Sequence, residues 1–254
     1  MKIYKTSEIA KIVGIHPNTV RLYEEIGFIP KVNRLENGYR VFTDLHIRQF
    51  KIARRALNIE VLQNGLRKKA IEIIKTSAKM NYDKSLILVK EYLNQIDMEI
   101  KNAEEAIGIT NKLLKEGYEE GGKVLKRKEV SALLDISIDT LRNWEMNGLI
   151  KVKRKENGYR IYNDEDIKRL KIIRTLRCAN YSLSSILRML NELSADPDID
   201  IKEVIGMREN DEDIITACDK LLKSLSESKK NALIIKKEII KLKTEYKKPS
   251  TLTP

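Results

Sequence analysis

The chain has 254 residues, and its 49 lysines and arginines against 37 aspartates and glutamates give a formal net charge of +12. A balance this basic favours an acidic partner, of which nucleic acid is the commonest. Two cysteines are too few for a disulfide scaffold, and the aliphatic runs are far shorter than the ~18 residues that a membrane span needs. We therefore expect a soluble, cytoplasmic protein without a membrane partner.

The positive charge is confined to two blocks of the sequence. Residues 1–80 carry +9 and residues 123–190 carry +8, whereas residues 81–122 carry −4 and residues 191–254 carry −1. Two basic blocks of similar size, each followed by a neutral or acidic block, indicate an internal repeat.

The repeat is visible in the residues themselves. Residues 34–42 read RLENGYRVF and residues 154–162 read RKENGYRIY, at an offset of 120. Upstream, TVRLYE at 19–24 corresponds to TLRNWE at 140–145, at an offset of 121. Because the match extends over about 50 residues, the chain contains two copies of one module.

The first copy opens with two predicted helices joined by a tight turn. Thr6 can cap a helix that ends at the breaker Gly14. Pro17, at a first helical position, opens a second helix, for which Gly27 is a natural C-terminal stop. Two short helices joined in this way make a helix-turn-helix.

A hairpin follows and would form a wing beside the helix-turn-helix. Asn37 and Gly38 lie between two short β-prone runs, which is a strong hairpin signal because both central residues of the favoured turn need positive φ. Thr43 then caps a third helix, from Asp44 to about Arg55, and a short fourth helix is expected near residue 60. The second copy predicts the same order of elements.

The second helix of each copy is suited to the major groove of DNA. Its N-terminal residues would face bases and phosphates, while wing arginines would bind the backbone, which positions a protein without reading sequence. The alternative is a helix-turn-helix that never touches DNA, with basic side chains that are merely solvated. The helix-turn-helix pattern, the positive charge and a basic wing occur together in both copies, which favours DNA binding over this alternative. The candidate DNA contacts in the first copy are His16, Asn18, Thr19, Arg21, Arg34 and Arg40.

These residues resemble the MerR family of bacterial transcription regulators. The string TVRLYEEIGFIPKVNRLENGYRVF at 19–42 follows that family's signature of T-V-R, Y-E, G-L-I, a basic wing and G-Y-R with an aromatic. Residues 140–162 repeat it without the proline. The resemblance implies DNA contacts by Arg21, Tyr23, Tyr39 and Arg40, and by Arg142, Trp144, Tyr159 and Arg160 in the second copy. Thr140 and Arg154, which correspond to Thr19 and Arg34, are further candidates there. Core packing under the wing is the alternative for the tyrosines and for Trp144.

Two heptad patterns predict a pair of coiled-coil helices. Apolar or small residues alternate at spacings of four and three from Tyr82 to Leu114, and again from Ile214 to Tyr246. The alternative is an amphipathic helix lying on a globular core. Antiparallel pairing within the chain would set Tyr82 against Tyr246 and Leu114 against Ile214, and the short linker at 117–123 favours this topology over parallel pairing.

The expected fold is mainly α, with two winged helix-turn-helix domains that are each followed by a long coiled-coil helix. The expected order is a first winged domain at 1–75, a coil at 80–116, a linker at 117–123, a second winged domain at 124–193, an acidic connector at 194–213, a coil at 214–246 and a tail at 247–254. Coils paired within one chain would make it a monomeric pseudo-dimer, and a homodimer is the alternative.

The resemblance implies a sequence-specific regulator that distorts double-stranded promoter DNA, with RNA polymerase as a candidate partner and the nucleoid as its location. Two non-identical heads predict an asymmetric operator. The alternative is an excisionase-like architectural protein that bends or anchors DNA without engaging polymerase. We expect no cofactor, metal or catalytic activity, because Cys178, Cys218, His16 and His46 form no ligand or catalytic constellation in the sequence.

Overall fold

The computed structural model describes residues 2–58, 65–116, 124–154, 158–195 and 214–246, with the side chains of 112–116 and 192–195 excepted. The predicted linker at 117–123 and tail at 247–254, and most of the acidic connector, lie outside these ranges. Two compact units divide the chain: unit 1 comprises Met1–Asp97 and Ser224–Pro254, and unit 2 comprises Met98–Lys223. Within the described ranges, no helix combines the length and the apolar character that crossing a membrane requires.

The head of unit 1 has the predicted order of elements. It consists of α1 (Thr6–Val13), α2 (Pro17–Glu25), β1 (Asn33–Arg34), β2 (Arg40–Val41), α3 (Asp44–Leu57) and α4 (Leu66–Ala78). The two strands are antiparallel, with Asn33 opposite Val41, and an isolated bridge joins Tyr4 to Phe42. The fourth helix begins at Leu66, and the predicted start near residue 60 lies outside the described residues.

The cap of α1 differs from the prediction. Thr6 is the first helical residue, and the cap is Lys5, whose backbone N–H donates to the Glu8 carboxylate at 2.6 Å. Glu8 is the third helical residue, so its carboxylate reaches back to the residue before the helix. The predicted cap at Thr43 is confirmed, with a capping box that includes His46.

The core of this head fixes the loop that follows α2. The Tyr23 ring packs edge-on against Phe28 and stacks on Phe50, with centroids 5.3 and 5.6 Å away. Buried Gln49 donates to the carbonyl oxygens of Phe28 at 3.1 Å and Ile74 at 3.0 Å. The Gln49 amide therefore joins α3 both to α4 and to the loop after α2. This contact helps to set the orientation of α2.

Two long helices complete unit 1: the first part of α5 (Tyr82–Glu116) and the last part of α10 (Ile214–Glu245). Asp83, near the start of α5, forms an ion pair with Lys243, and Asp97 forms one with Lys229 at 2.6 Å. Moving along α5 from Asp83 to Asp97, the partner on α10 moves back from Lys243 to Lys229. The two helical segments are therefore antiparallel.

The head of unit 1 is attached to α10 through polar contacts of α3. Arg48 forms ion pairs with Glu238 and Glu245, and its side chain is 18% exposed. Arg55 donates to the Asn231 side-chain oxygen at 3.4 Å. The third helix of this head therefore contacts the long helix that is more distant in sequence.

The head of unit 2 repeats the fold. It consists of β3 (Leu125–Lys126), α6 (Arg127–Leu134), α7 (Ile138–Met146), β4 (Lys153–Arg154), β5 (Arg160–Tyr162), α8 (Asp164–Cys178) and α9 (Leu183–Ala195). Its sheet has three strands in the order β3-β5-β4, because the entry segment pairs as a full strand, with Leu125 opposite Tyr162. The Asn163 side chain caps α8 by accepting the N–H of Asp166 at 2.8 Å.

The core of unit 2 includes parts of both long helices. Ala106 of α5 and Ile214 and Cys218 of α10 belong to the same buried cluster as Trp144 and Tyr162. Cys178 is the last residue of α8 and is 1% exposed.

A buried ion pair joins the head of unit 2 to α5. The Arg174 guanidinium binds both oxygens of Glu99, at 2.7 and 3.0 Å, and its Nε–H donates to the Leu134 carbonyl at 2.7 Å. The two residues are 5% and 3% exposed. The third helix of this head thus contacts α5, which precedes the head in the chain.

Burial along the long helices agrees with the heptad prediction for α10 and corrects it at alternate positions of α5. The predicted apolar positions of α10 from Ile214 to Leu242 are all buried, while Tyr246 is 37% exposed. On α5, alternate predicted positions are only half-buried, and the residue before each is buried instead. The half-buried residues are Leu86, Leu93, Ile100 and Ile107, and the buried ones are Ser85, Tyr92, Glu99 and Ala106. The fully buried face of α5 therefore keeps the alternation of three and four from Tyr82 to Thr110, but at these four predicted positions it lies one residue earlier than predicted.

Candidate nucleic-acid interface

The second helix of the first head, α2, begins with an imidazole cap. The Nδ1 atom of His16 accepts the backbone N–H of Asn18 at 3.2 Å, and Pro17 occupies the first helical position. Pro17 suits that position because its missing N–H would have no partner inside the helix. The first turn of α2 contains no acidic residue, so the positive end of its helix dipole favours an anion such as phosphate.

The candidate residues of α2 lie on its accessible side. His16, Asn18 and Arg21 are exposed, and Thr19 is half-buried. Arg21 donates to the Asn18 side-chain oxygen at 3.1 Å. This contact holds the guanidinium beside the first turn of the helix, where a groove-bound helix would meet bases and phosphates.

The corresponding helix of the second head, α7, has a different start. Ser137 caps it by accepting the N–H of Thr140 at 3.0 Å, and the two hydroxyls lie 2.8 Å apart. Arg142 is exposed and Thr140 is half-buried. Exposed Asp139 adds an acidic side chain to the first turn, so the two helices would present different chemistry to a nucleic acid.

The aromatic residues divide into two groups. Tyr23 is 6% exposed and Trp144 is 3% exposed, and both belong to the cores of their heads. Tyr39 and Tyr159, on the wings, are 69% and 72% exposed. Burial favours core packing over DNA contact for Tyr23 and Trp144, whereas the two wing tyrosines remain candidates for DNA contact.

The first wing turns at Gly38, which has a φ of +80°. The predicted positive φ at Asn37 is wrong, because Asn37 is not among the described non-glycine residues that adopt one. The Gly38 N–H donates to the Leu35 carbonyl at 2.8 Å, and the Leu35 N–H donates to the Tyr39 carbonyl at 2.9 Å. This is the pattern of a type I turn closed by a left-handed glycine, a three-residue hairpin loop.

The wing arginines have two different environments. Arg34 and Arg154 are exposed, and the Arg34 guanidinium donates to the Gly38 carbonyl at 3.2 Å, which ties it to the hairpin turn. Arg40 is half-buried and pairs with Glu24, and Arg160 is half-buried and pairs with Glu145 at 2.6 Å. The sequence prediction placed Arg40 and Arg160 on the DNA backbone without identifying these partners.

Glu24 and Glu145 were missed as members of the site. Both lie within the strings that define the repeat, TVRLYE and TLRNWE, so their recurrence was the available signal. In the second head, Glu145 also lies 3.5 Å from Arg127, the first residue of α6, where the first head has Thr6.

The described part of the chain contains no group of three or more His, Cys, Asp or Glu side chains arranged as metal ligands would be. The accessible candidate residues on the helix starts and wings are arginines, a wing tyrosine and small polar side chains, with His16 in the first head. Such a surface is suited to phosphate and base edges.

Profiles of known families match both heads. The MerR family regulatory protein profile matches residues 5–42, and the MerR HTH family regulatory protein profile matches residues 125–193. The first match spans α1, α2 and the wing of unit 1, and the second spans the described elements of the unit 2 head as far as α9.

Curated proteins are similar over part of their length. The HTH-type transcriptional regulator CueR of Escherichia coli O157:H7 is 38% identical over 53 residues, which cover 21% of this chain and 39% of CueR. The HTH-type transcriptional regulator ZntR of Escherichia coli strain K12 is 34% identical over 71 residues, covering 28% and 50%. The mercuric resistance operon regulatory protein of Bacillus cereus is 24% identical over 96 residues, covering 37% and 73%.

The matched part of this chain thus spans about two fifths of CueR and half of ZntR. No solved structure gives a significant match. The two family profiles fall on the two copies of the same fold, so the chain carries two MerR-type modules in tandem.

Proposed function

We propose that this chain is a sequence-specific transcription regulator that binds double-stranded promoter DNA through its two winged heads. The observation that carries the proposal is the repetition, in both heads, of one exposed arginine on the second helix and one exposed arginine on the wing. These are Arg21 with Arg34 and Arg142 with Arg154. The family matches support the same function, since CueR and ZntR are named as transcriptional regulators.

Substitution of the helix arginines tests the DNA-binding surface. Loss of an arginine that contacts a base or phosphate costs about 1–3 kcal/mol, or about 5- to 150-fold in affinity. Arg21→Ala and Arg142→Ala should each weaken binding to promoter fragments recovered by genome-wide immunoprecipitation, measured by fluorescence anisotropy. Lys90→Ala, an exposed substitution on α5 that also removes one positive charge, is the control. Unchanged affinity in both arginine variants would contradict the assigned surface.

The heads belong to one chain, and we propose that its long helices pair antiparallel within that chain. The ion pairs of Asp83 with Lys243 and of Asp97 with Lys229 support this pairing, as does the buried heptad face of α10. Light scattering in dilute solution should then give a mass near 29.4 kDa. Twice that mass would indicate a homodimer and refute the pseudo-dimer.

Non-identical heads imply an asymmetric operator. Asn18 in the first head corresponds to Asp139 in the second, and Leu22 corresponds to Asn143, with all four side chains exposed. An amide and a carboxylate prefer different base edges, so the half-sites should differ. Hydroxyl-radical footprinting that gave a perfect palindrome with equal protection of both halves would rule out this reading.

The mechanism we propose is distortion of promoter DNA, whose energetic scale is about 1–6 kcal/mol for bends of moderate angle. RNA polymerase is the partner that would respond to the altered DNA. Run-off transcription from a bound promoter should therefore change when the protein is added. Tight, bending DNA binding without any effect on transcription would instead identify an architectural protein.

A further inference from the structure

One ion pair occurs in both heads at the junction of helix and wing. Arg40 binds Glu24 through its Nε, and Arg160 binds Glu145 through its Nε at 2.6 Å. All four side chains are between 16% and 26% exposed. We name this contact the wing clasp: Glu24 with Arg40 in the first head, and Glu145 with Arg160 in the second.

The wing clasp connects the two parts of each head that would touch DNA. Glu24 lies in the last turn of α2, and Arg40 is the first residue of β2, opposite Arg34 on β1. The hairpin is only two residues long on each strand, and a ladder this short does little to fix its own orientation. A side-chain contact to the helix therefore has a large share in setting the position of the wing.

A carboxylate at this place would oppose DNA binding if charge alone mattered, because it repels phosphate. We propose that Glu24 and Glu145 are positioning residues, which orient the wing arginines so that their guanidinium groups meet the DNA backbone. This inference rests on the proposed DNA-binding function. It assigns a favourable role in binding to two acidic residues inside a basic surface.

The chemistry of arginine allows both contacts at once. A guanidinium has five N–H donors, and the clasp uses the Nε–H, so the terminal amino groups keep their capacity to bind a phosphate. Holding the long side chain in one geometry also removes part of the ordering cost that a free arginine meets on binding. The carboxylate thus acts through the arginine and touches no nucleotide itself.

The first head offers the sharper test, because Glu145 has Arg127 as a second partner. Glu24→Gln removes one negative charge and weakens the clasp, while Glu25→Gln removes the same charge from the exposed neighbouring residue. Affinity for the operator is measured by fluorescence anisotropy from about 50 to 200 mM salt. We expect Glu25→Gln to bind as tightly as the wild type or more tightly, and Glu24→Gln to bind about three- to five-fold more weakly.

The salt dependence separates positioning from general stability. If the wing arginine loses its phosphate, the slope of log affinity against log salt falls in magnitude, by up to about one unit. A purely structural role would reduce the active fraction without changing that slope. Glu24→Asp keeps the charge but withdraws the carboxylate by one methylene, and it too should weaken binding.

A double substitution locates the effect. In an Arg40→Gln background, Glu24→Gln should have no further effect on affinity, because the glutamate acts through the arginine. The proposal is overturned if Glu24→Gln binds as well as Glu25→Gln does, or if its loss persists unchanged without Arg40. Failure of the wild-type chain to bind any DNA would instead overturn the proposed function.

Discussion

The buried ion pair of unit 2 gives the strongest prediction about stability. Glu99→Gln keeps the shape of the side chain and removes its charge. Arg174 would then be left 5% exposed beside an amide, whose single uncharged oxygen replaces the two carboxylate oxygens that now accept from it at 2.7 and 3.0 Å. Its Nε contact with the Leu134 carbonyl cannot compensate a full charge.

The expected cost is about 3–5 kcal/mol, the range for removing one partner of a buried ion pair. Trp144 is the one tryptophan of the chain and belongs to the core cluster of unit 2, so its fluorescence reports unfolding of that unit. Urea titration followed at the tryptophan emission should show the transition of Glu99→Gln at a clearly lower urea concentration than that of the wild type.

Two further variants separate the causes. Glu238→Gln removes an equivalent partner from Arg48 in unit 1, where the side chains are 18% and 28% exposed, so it should cost below about 1 kcal/mol and leave the tryptophan transition in place. The double variant Glu99→Leu with Arg174→Met should recover most of the lost free energy of unfolding, because neither apolar side chain leaves a charge buried away from water. A Glu99→Gln cost below about 1 kcal/mol would refute the reasoning.

Two other predictions concern unit 1. Burial lowers the pKa of His46 below its usual 6.5, so the unfolded chain binds a proton that the folded chain excludes, and stability should decrease as pH falls below about 6.5. Thermal unfolding followed by circular dichroism should show a smaller pH dependence in His46→Gln, and equal dependence in both proteins would contradict this cause. Gly38→Ala places a side chain at a φ of +80°, a strain of about 1–2 kcal/mol, so operator affinity should fall while helix content is kept. Unaltered affinity would mean that the wing turn is not needed for binding.

The sequence predicted the elements of both heads because their signals are local. Caps such as Thr43 and Asn163 depend on residues three positions away, and the heptad of α10 depends on apolar spacing alone. Asn37 was mispredicted because the favoured two-residue hairpin turn and the observed three-residue loop both use an Asn-Gly pair.

The features that were missed depend on residues distant in sequence. Glu99 is not among the predicted apolar positions of α5, and its burial depends on the ion pair with Arg174, 75 residues away. At the candidate interface, exposure of Arg21 and Arg142 followed from the pattern, whereas the pairing of Arg40 with Glu24 needed the tertiary contact between wing and helix.

The imidazole at the start of α2 has a defined hydrogen-bonding direction. Because its Nδ1 accepts the Asn18 N–H at 3.2 Å, the neutral ring carries its proton on Nε2, and exposed His16 can offer only a donor to another molecule. Acceptors such as phosphate oxygen or the N7 and O6 atoms of guanine complement it, while the amino groups of adenine and cytosine do not. The same backbone contact that begins the helix therefore limits what its first side chain can recognise.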